Sequence, residues 1–250
     1  GSLELVLIYD TIKLTVTFKD GENTIDTQTI VYGENAIAPE LTKPGYTLTW
    51  DKTLENITEN QTINAIWTPN EGIIYKTEHY IQNTDLTTYT LGETVDLTGT
   101  TNQLVSARAK NYTGYSENLN HPNRIASGQV AGDGSLVLKL YYDRNNYAVT
   151  LNKDGGTINT GNVTQYTYGI GATLPTNVTK EGYVFRGWYK NAECEGEAIT
   201  QITTSDTGAK IYYAKWLVDT DRDGIPDIED DDTQVAYKIE HYVQNTDLTT

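Results

Sequence analysis

Methionine is absent from this 250-residue chain, and cysteine occurs once, at Cys194. A single thiol forms no intrachain disulfide, and no Cys-His pattern surrounds it, so Cys194 reads as an ordinary loop thiol. Basic side chains are scarce, 18 against 34 acids, for a formal net charge of -16. That balance excludes nucleic acid and anionic membrane surfaces as partners, since both require a basic footprint. No apolar run approaches the roughly 20 residues of a membrane-spanning helix, so no membrane insertion is expected. Neither a signal peptide nor a methionine is present, as expected of an interior segment of a longer protein. No long stripe of 3.6-residue period occurs, and little helix is expected.

What the chain does have is repetition. Positions 75–88 read YKTEHYIQNTDLTT and positions 237–250 read YKIEHYVQNTDLTT, twelve of fourteen identical at an offset of 162. Chance does not produce this, so the chain is a slice of a tandem array. Aromatic residues are mostly tyrosine, 19 against two phenylalanines. Such a composition builds thin cores with half-wet tyrosines on β surfaces.

The alternation along the chain defines units. Residues 1–10 echo residues 134–143 and read as the last strand of a preceding module, with the strand at 3–9. A first unit, 11–69, opens with Leu14-Thr15-Val16-Thr17-Phe18 and the turn Asp20-Gly21, and closes on the strand 62–67. A second unit, 70–144, has strands at 74–82 and 136–142 and a further strand at 111–115. A third unit, 145–217, repeats the first: Val149-Thr150-Leu151 for Val16-Thr17-Phe18, Lys180-Glu181-Gly182-Tyr183 for Lys43-Pro44-Gly45-Tyr46, Trp188 for Trp50 and Trp216 for Trp67. All four tryptophans occupy these two repeat positions and read as core. An acidic linker, 218–233, precedes the start of another second-type unit at 234–250.

The opening V-T-[FL]-x-x-D-G, the Lys-x-Gly-Tyr turn, Gly187-Trp188-Tyr189 and the closing Tyr213-Ala214-Lys215-Trp216 resemble the Listeria–Bacteroides repeat, the B-repeat module of internalin-type surface proteins. The second unit, with Tyr75-Lys76-x-Glu78-His79-Tyr80 and Gly132-Asp133-Gly134-Ser135-Leu136, is similar to mucin-binding-protein-type modules. These resemblances imply a mainly β chain of small β-grasp-like modules in an elongated array. They also imply an extracellular place on a bacterial cell surface or cell wall, and adhesion or spacing rather than catalysis.

One stretch carries chemistry. In Asp219-Thr220-Asp221-Arg222-Asp223-Gly224-Ile225-Pro226-Asp227, acids at alternate positions converge on one centre and Gly224 permits the turn after them. With Asp219 as position 1, acids fall at 3, 5 and 9 and Asp230 falls at 12, while Ile225 at 7 offers a backbone carbonyl. This oxygen set fits calcium. Asp in place of Glu at the last position, and the lack of flanking helices, make the loop resemble the thrombospondin type 3 class. The expected metal set is therefore Asp219, Asp221, Asp223, Ile225, Asp227 and Asp230, with Ca2+ as cofactor. The competing reading is a solvated acidic run. Eight acids against Arg222 give residues 219–232 a charge of -7, which keeps a metal-free segment extended.

His79 and His241 share one repeat position and read as structural, and His121 precedes Pro122 in a loop without an evident partner. No paired carboxylates outside the linker make an acid-base couple and no Ser-His-Asp ordering has motif support, so no enzyme is expected. The leading expectation is an adhesin or stalk segment stiffened by calcium. The alternative is a module binding host glycan, mucin or a host surface protein, and neighbouring repeats of the same chain are further partners.

Overall fold

A computed structural model describes residues 1–230. The second repeat copy at 237–250, with His241, and the acids Asp231 and Asp232 lie outside the described residues. No helix occurs among those described, in accord with a mainly β array of small modules. The described chain divides into two compact units. One comprises residues 1–81, 89–110 and 117–141, and the other 82–88, 111–116 and 142–230.

In the first unit, β1 (Lys13–Asp20), β2 (Asn23–Val31), β3 (Tyr46–Trp50) and β4 (Gln61–Pro69) form a sheet of order β2-β1-β4-β3. The alternation of β1 explains its place. Leu14, Val16 and Phe18 are buried while Lys13 and Thr15 face water. Each such buried side chain contributes about 1.5–3 kcal/mol of transfer free energy. Asp20 pairs with Asn23 across a two-residue turn in which Gly21 has φ +57, a conformation that favours glycine. β1 runs parallel to β4, from Val16 opposite Gln61 to Phe18 opposite Ile63. A parallel central pair flanked by antiparallel strands is a β-grasp-like arrangement, although here the crossover between β2 and β3 is irregular. Its backbone groups are satisfied by the facing loop: Gly33 donates to Ile57, Ala36 to Leu54, and Ile57 to Glu34.

β5 (Ile73–Gln82), β6 (Tyr89–Gly99), β7 (Leu104–Ser106), β8 (Tyr115–Glu117), β9 (Ser127–Gln129) and β10 (Val137–Arg144) follow. The main sheet has the order β6-β5-β10-β8. Along β5, Tyr75, Thr77 and His79 are buried and Lys76 is exposed, so the shared repeat motif carries core residues on one face and polar ones on the other. The strand expected at 111–115 is not formed. Gly114 takes φ +79 and lies under the Tyr168 ring, where a Cβ would meet Tyr168 Cγ at 2.2 Å, so the strand starts one residue later. The 11-residue β6 was not legible as one strand. Residues 1–12 enter no strand, and Leu3 is 96 % exposed. Their echo lies in β10, between β5 and β8 with Leu138, Leu140 and Tyr142 buried. No such pair of neighbours flanks residues 3–9 among the described residues.

In the second unit, β11 (Asn146–Asn152), β12 (Thr157–Ile158), β13 (Gln165–Thr167), β14 (Ala172–Thr173), β15 (Val178–Thr179), β16 (Tyr183–Tyr189), β17 (Gln201–Ile202) and β18 (Lys210–Val218) include a sheet of order β13-β11-β18-β16. Its registers copy those of the first sheet. The parallel pair starts at Val149 opposite Lys210, as it does at Val16 opposite Gln61, and Tyr183 faces Val218 as Tyr46 faces Pro69. Trp188 pairs with Ala214 as Trp50 pairs with Ala65. The one extra residue of β16 is absorbed by an irregularity between Phe185 and Trp188, where Gly187 has φ +112.

Candidate metal centre

The acidic loop leaves the end of β18 and returns to it. The Asp219 N–H donates to the Gly182 carbonyl at 3.0 Å, and nine residues past Val218 the Asp227 N–H donates to the Val218 carbonyl at 2.9 Å. Inside this closure Asp219 is 5 % exposed. Its Oδ1 accepts the Arg222 N–H at 2.8 Å and its Oδ2 the Gly224 N–H at 3.2 Å. Asp221 Oδ1 accepts the Asp223 N–H and Asp223 Oδ1 accepts the Ile225 N–H. Each acid thus turns the chain toward the next. Gly224, at φ +92, makes the bend that a Cβ would strain.

The result is a cluster. One carboxylate oxygen from each of Asp219, Asp221 and Asp223 lies within 4.8 Å of the others. The Asp223 N–H favours the ionised form of Asp221, but desolvation and the charges of Asp223, Asp230 and Asp219 outweigh it and raise the Asp221 carboxyl. An all-oxygen donor set of this density suits a hard cation such as calcium and not a thiophilic one.

The remaining expected ligands are Asp227, Asp230 and the Ile225 carbonyl, and the charge of Asp230 already acts on Asp221. Asp227 uses both oxygens on Thr220, accepting its N–H at 2.7 Å and its hydroxyl at 2.6 Å. These bonds, the hydroxyl first, lower the Asp227 carboxyl. Asp230 lies in a turn where its N–H and that of Glu229 donate to the Pro226 carbonyl, and the Ile225 side chain is half exposed. Three side chains given no role from the sequence brace the loop: Thr220 within it through Asp227, Glu181 through an ion pair to Arg222 at 2.7 Å, and Arg186 through an ion pair to Glu229. Thr220 sits inside the motif. Glu181 and Arg186 lie more than thirty positions upstream, where no spacing rule reaches.

The remaining candidates are structural. Trp188 is 1 % exposed and donates its indole N–H to the Pro175 carbonyl at 2.7 Å, so it offers no platform to a ligand. Trp67 and Trp216 pin the β1 and β11 turns, donating to Asp20 Oδ1 and to the Lys153 carbonyl. Lys43 and Lys180 each lie over the paired Tyr and Trp rings, at 4.2 and 4.4 Å from Tyr46 and Tyr183. Tyr115 lies beneath the Arg144 guanidinium. His121, expected without a partner, stacks on Tyr141 at 3.6 Å and meets the edge of Tyr89. No lysine is among the buried side chains described. A cleft of about 560 Å³ on the second unit is lined by Asp154, Lys180, Tyr183, Cys194, Tyr213 and Trp216 among others. The Cys194 thiol in its wall is raised by burial.

Comparison with known proteins places this architecture. The model of the Listeria-Bacteroides repeat domain matches twice, over residues 15–87 and 147–215. The second match spans the sheet β13-β11-β18-β16, and the first covers the equivalent sheet and runs on through β5. A putative Gly-rich membrane protein of Evansella cellulosilytica is 29 % identical over 111 residues, which is 42 % of this chain and 12 % of that protein. The chain thus corresponds to about an eighth of that relative's length. With two matched copies over more than half its residues and the same strand registers in both, the chain belongs to the Listeria-Bacteroides repeat family.

Proposed function

We propose that this chain is part of a bacterial cell-surface adhesin or stalk, which extends and displays binding regions, and that calcium stiffens it at the 218–233 loop. The observation that carries the metal reading is the convergence of Asp219, Asp221 and Asp223 beside Gly224. The module at 70–144 is read as mucin-binding-like and the loop as thrombospondin type 3-like, on the motifs given above. A surface location is supported by the family and by the relative's description as a membrane protein.

Calcium would supply charge neutralisation and a common centre for the carboxylates. The chain's own groups supply the rest. Asp219 is fixed to the module through Gly182, Arg222 ties to Glu181, and Asp227 closes the loop on Thr220 and Val218. Without a cation the three carboxylates repel and oppose this closure. With one, repulsion becomes attraction, and a loop already anchored at both ends becomes a stiff joint. Calorimetric titration of the 250-residue chain is expected to give one site with Kd about 0.1–1 mM, the range of extracellular modules. The same titration of an Asp221→Ala, Asp223→Ala variant is expected to be silent, and equal binding by both proteins would contradict the assignment.

A second reading, contact with a glycan or mucin, is favoured by the cleft beside Tyr183, Tyr213 and Trp216, whose mixed aromatic and carboxylate lining suits a sugar ring. A glycan array probed with the chain and with Tyr213→Ala tests it. Binding lost in the variant supports the reading, and no bound glycan contradicts it.

A further inference from the structure

The Gly45 and Gly182 turns are equivalent, and only one of them is filled among the described residues. Each closes with a Tyr N–H donating to a Lys carbonyl at 3.1 Å, Tyr46 to Lys43 and Tyr183 to Lys180. At each, the N–H three residues past the terminal Trp donates to the glycine carbonyl, Asn70 to Gly45 at 2.8 Å and Asp219 to Gly182 at 3.0 Å. At Gly45 the second-type module is seated on the turn. Thr101 donates its hydroxyl to the Gly45 carbonyl at 2.7 Å and its N–H to Asn70, and Asn102 donates to the Tyr46 hydroxyl. Gly132 packs so closely that a Cβ on it would lie 2.1 Å from the Pro44 carbonyl oxygen, and one on Gly45 would lie 2.2 Å from Gly132 Cα. At Gly182 the same Cβ meets only the Asp219 carbonyl oxygen, at 4.0 Å.

We propose that the Gly182 turn is a docking seat for a second-type module, the one whose first fourteen positions recur at 237–250. The occupant is identified by the filled seat. A module of this kind presents a Thr hydroxyl, an Asn amide and a Gly without a side chain to the turn, and the turn offers the matching carbonyl, Tyr hydroxyl and clearance. The chain has the reach to fill it. Pro69 and Val218 are equivalent, each pairing with the turn tyrosine. Tyr75 follows Pro69 by six positions. The acidic loop returns the chain to Val218 at Asp227, and Tyr237 follows Asp227 by ten positions. Ten residues span up to about 35 Å. The loop is therefore a closed excursion at a module junction, compatible with direct seating of the next module. The seat stands on backbone geometry and is independent of the calcium reading.

The test extends the full chain by appending residues 89–144 after Thr250, which completes the second-type module begun at 237. Cys194 is replaced by Ser, and spin labels are placed at Glu197 and at the appended copy of Asn120. A reference protein carries labels at Glu40 and Asn120, across the filled seat. Pulsed dipolar spectroscopy is run in calcium and again in EDTA. A narrow distance distribution in either buffer, as narrow as the reference and broadened when the appended copy carries Thr101→Ala or Gly132→Val, is the expected result. Thr101→Ala guards against misfolding of the bulkier variant. A broad distribution in both buffers, or a narrow one that neither substitution alters, would overturn the proposal. A narrow distribution confined to calcium still supports the seat and makes the loop its control.

Discussion

Thr220 and Asp227 close the acidic loop: the Thr220 N–H and hydroxyl bond the two carboxylate oxygens of Asp227 at 2.7 and 2.6 Å. Asp221, two positions from Asp219 and from Asp223, is instead raised: against the bond from the Asp223 N–H act desolvation first and then the charges of Asp223, Asp230 and Asp219. The two acids are therefore expected to differ in sign when removed without metal. In EDTA, Asp227→Ala should lower the melting temperature, while Asp221→Ala should leave it unchanged or raise it. In saturating calcium, Asp221→Ala should become the more damaging. Melts in both buffers check the inversion.

The Gly45–Gly132 contact predicts a backbone clash on substitution. Gly132→Ala places its methyl against the Pro44 carbonyl, where backbone and not a mobile side chain must move. Overpacking of this kind costs about 1–3 kcal/mol, to be read by denaturant unfolding of the whole chain. Gly134→Ala is a useful control. Unlike Gly132 it has positive φ, +76, and its Cβ would meet its nearest neighbour, the Ile74 carbonyl oxygen, at 3.1 Å, so its cost should be mainly conformational.

Acid should loosen the middle sheet before the carboxylates titrate. His79 is 1 % exposed, and burial first, then Lys110, holds its imidazole below the ordinary value against the opposing charges of Glu93 and Glu117. The native state favours neutral His79, so the unfolded state binds the extra proton. Stability is present above about pH 6.5 and falls as pH drops below it. Asp85 and Asp206, held near 2 by hydrogen bonds from Thr88 and from Lys210 with Thr203, lose their contribution only between about pH 4 and 2. Melting temperature against pH should therefore decline as pH falls below about 6.5 in the native chain and flatten there in His79→Gln.

Trp188 fills the core of the third module with Leu174, Ile202 and Tyr212. Trp188→Ala is expected to cost about 3–5 kcal/mol, seen as an early separate transition by calorimetry. Its loss removes the module and not a ligand platform.

Much of this fold could be read from the sequence because its signals are local. The alternation of Leu14, Val16 and Phe18, the Asp20-Gly21 turn and the spacing of the tryptophans each report a strand, a hairpin or a repeat position. The parallel pairing of β1 with β4 was hidden because the partners lie some 45 positions apart and no turn joins them. The strand expected at 111–115 failed at Gly114, which has positive φ and whose missing Cβ leaves room for the Tyr168 ring, a neighbour 54 positions away. At the candidate metal centre the alternate acids pointed to Asp219, Asp221 and Asp223, whose carboxylates the fold clusters. The diversion of Asp227 to Thr220 was hidden, since an acid at position 9 reads alike whether it faces a cation or a threonine hydroxyl.

The most direct test of the account is a thermal melt of the 250-residue chain with calcium titrated against EDTA, beside the Asp221→Ala, Asp223→Ala variant. At roughly 20 times Kd, binding to the folded site alone adds about 1.8 kcal/mol. The account predicts a melting temperature that rises by a few degrees with calcium and a variant that does not respond. A melting temperature unmoved at 10 mM calcium, or a variant that rises with the native chain, would contradict it and leave residues 219–232 as solvated charge.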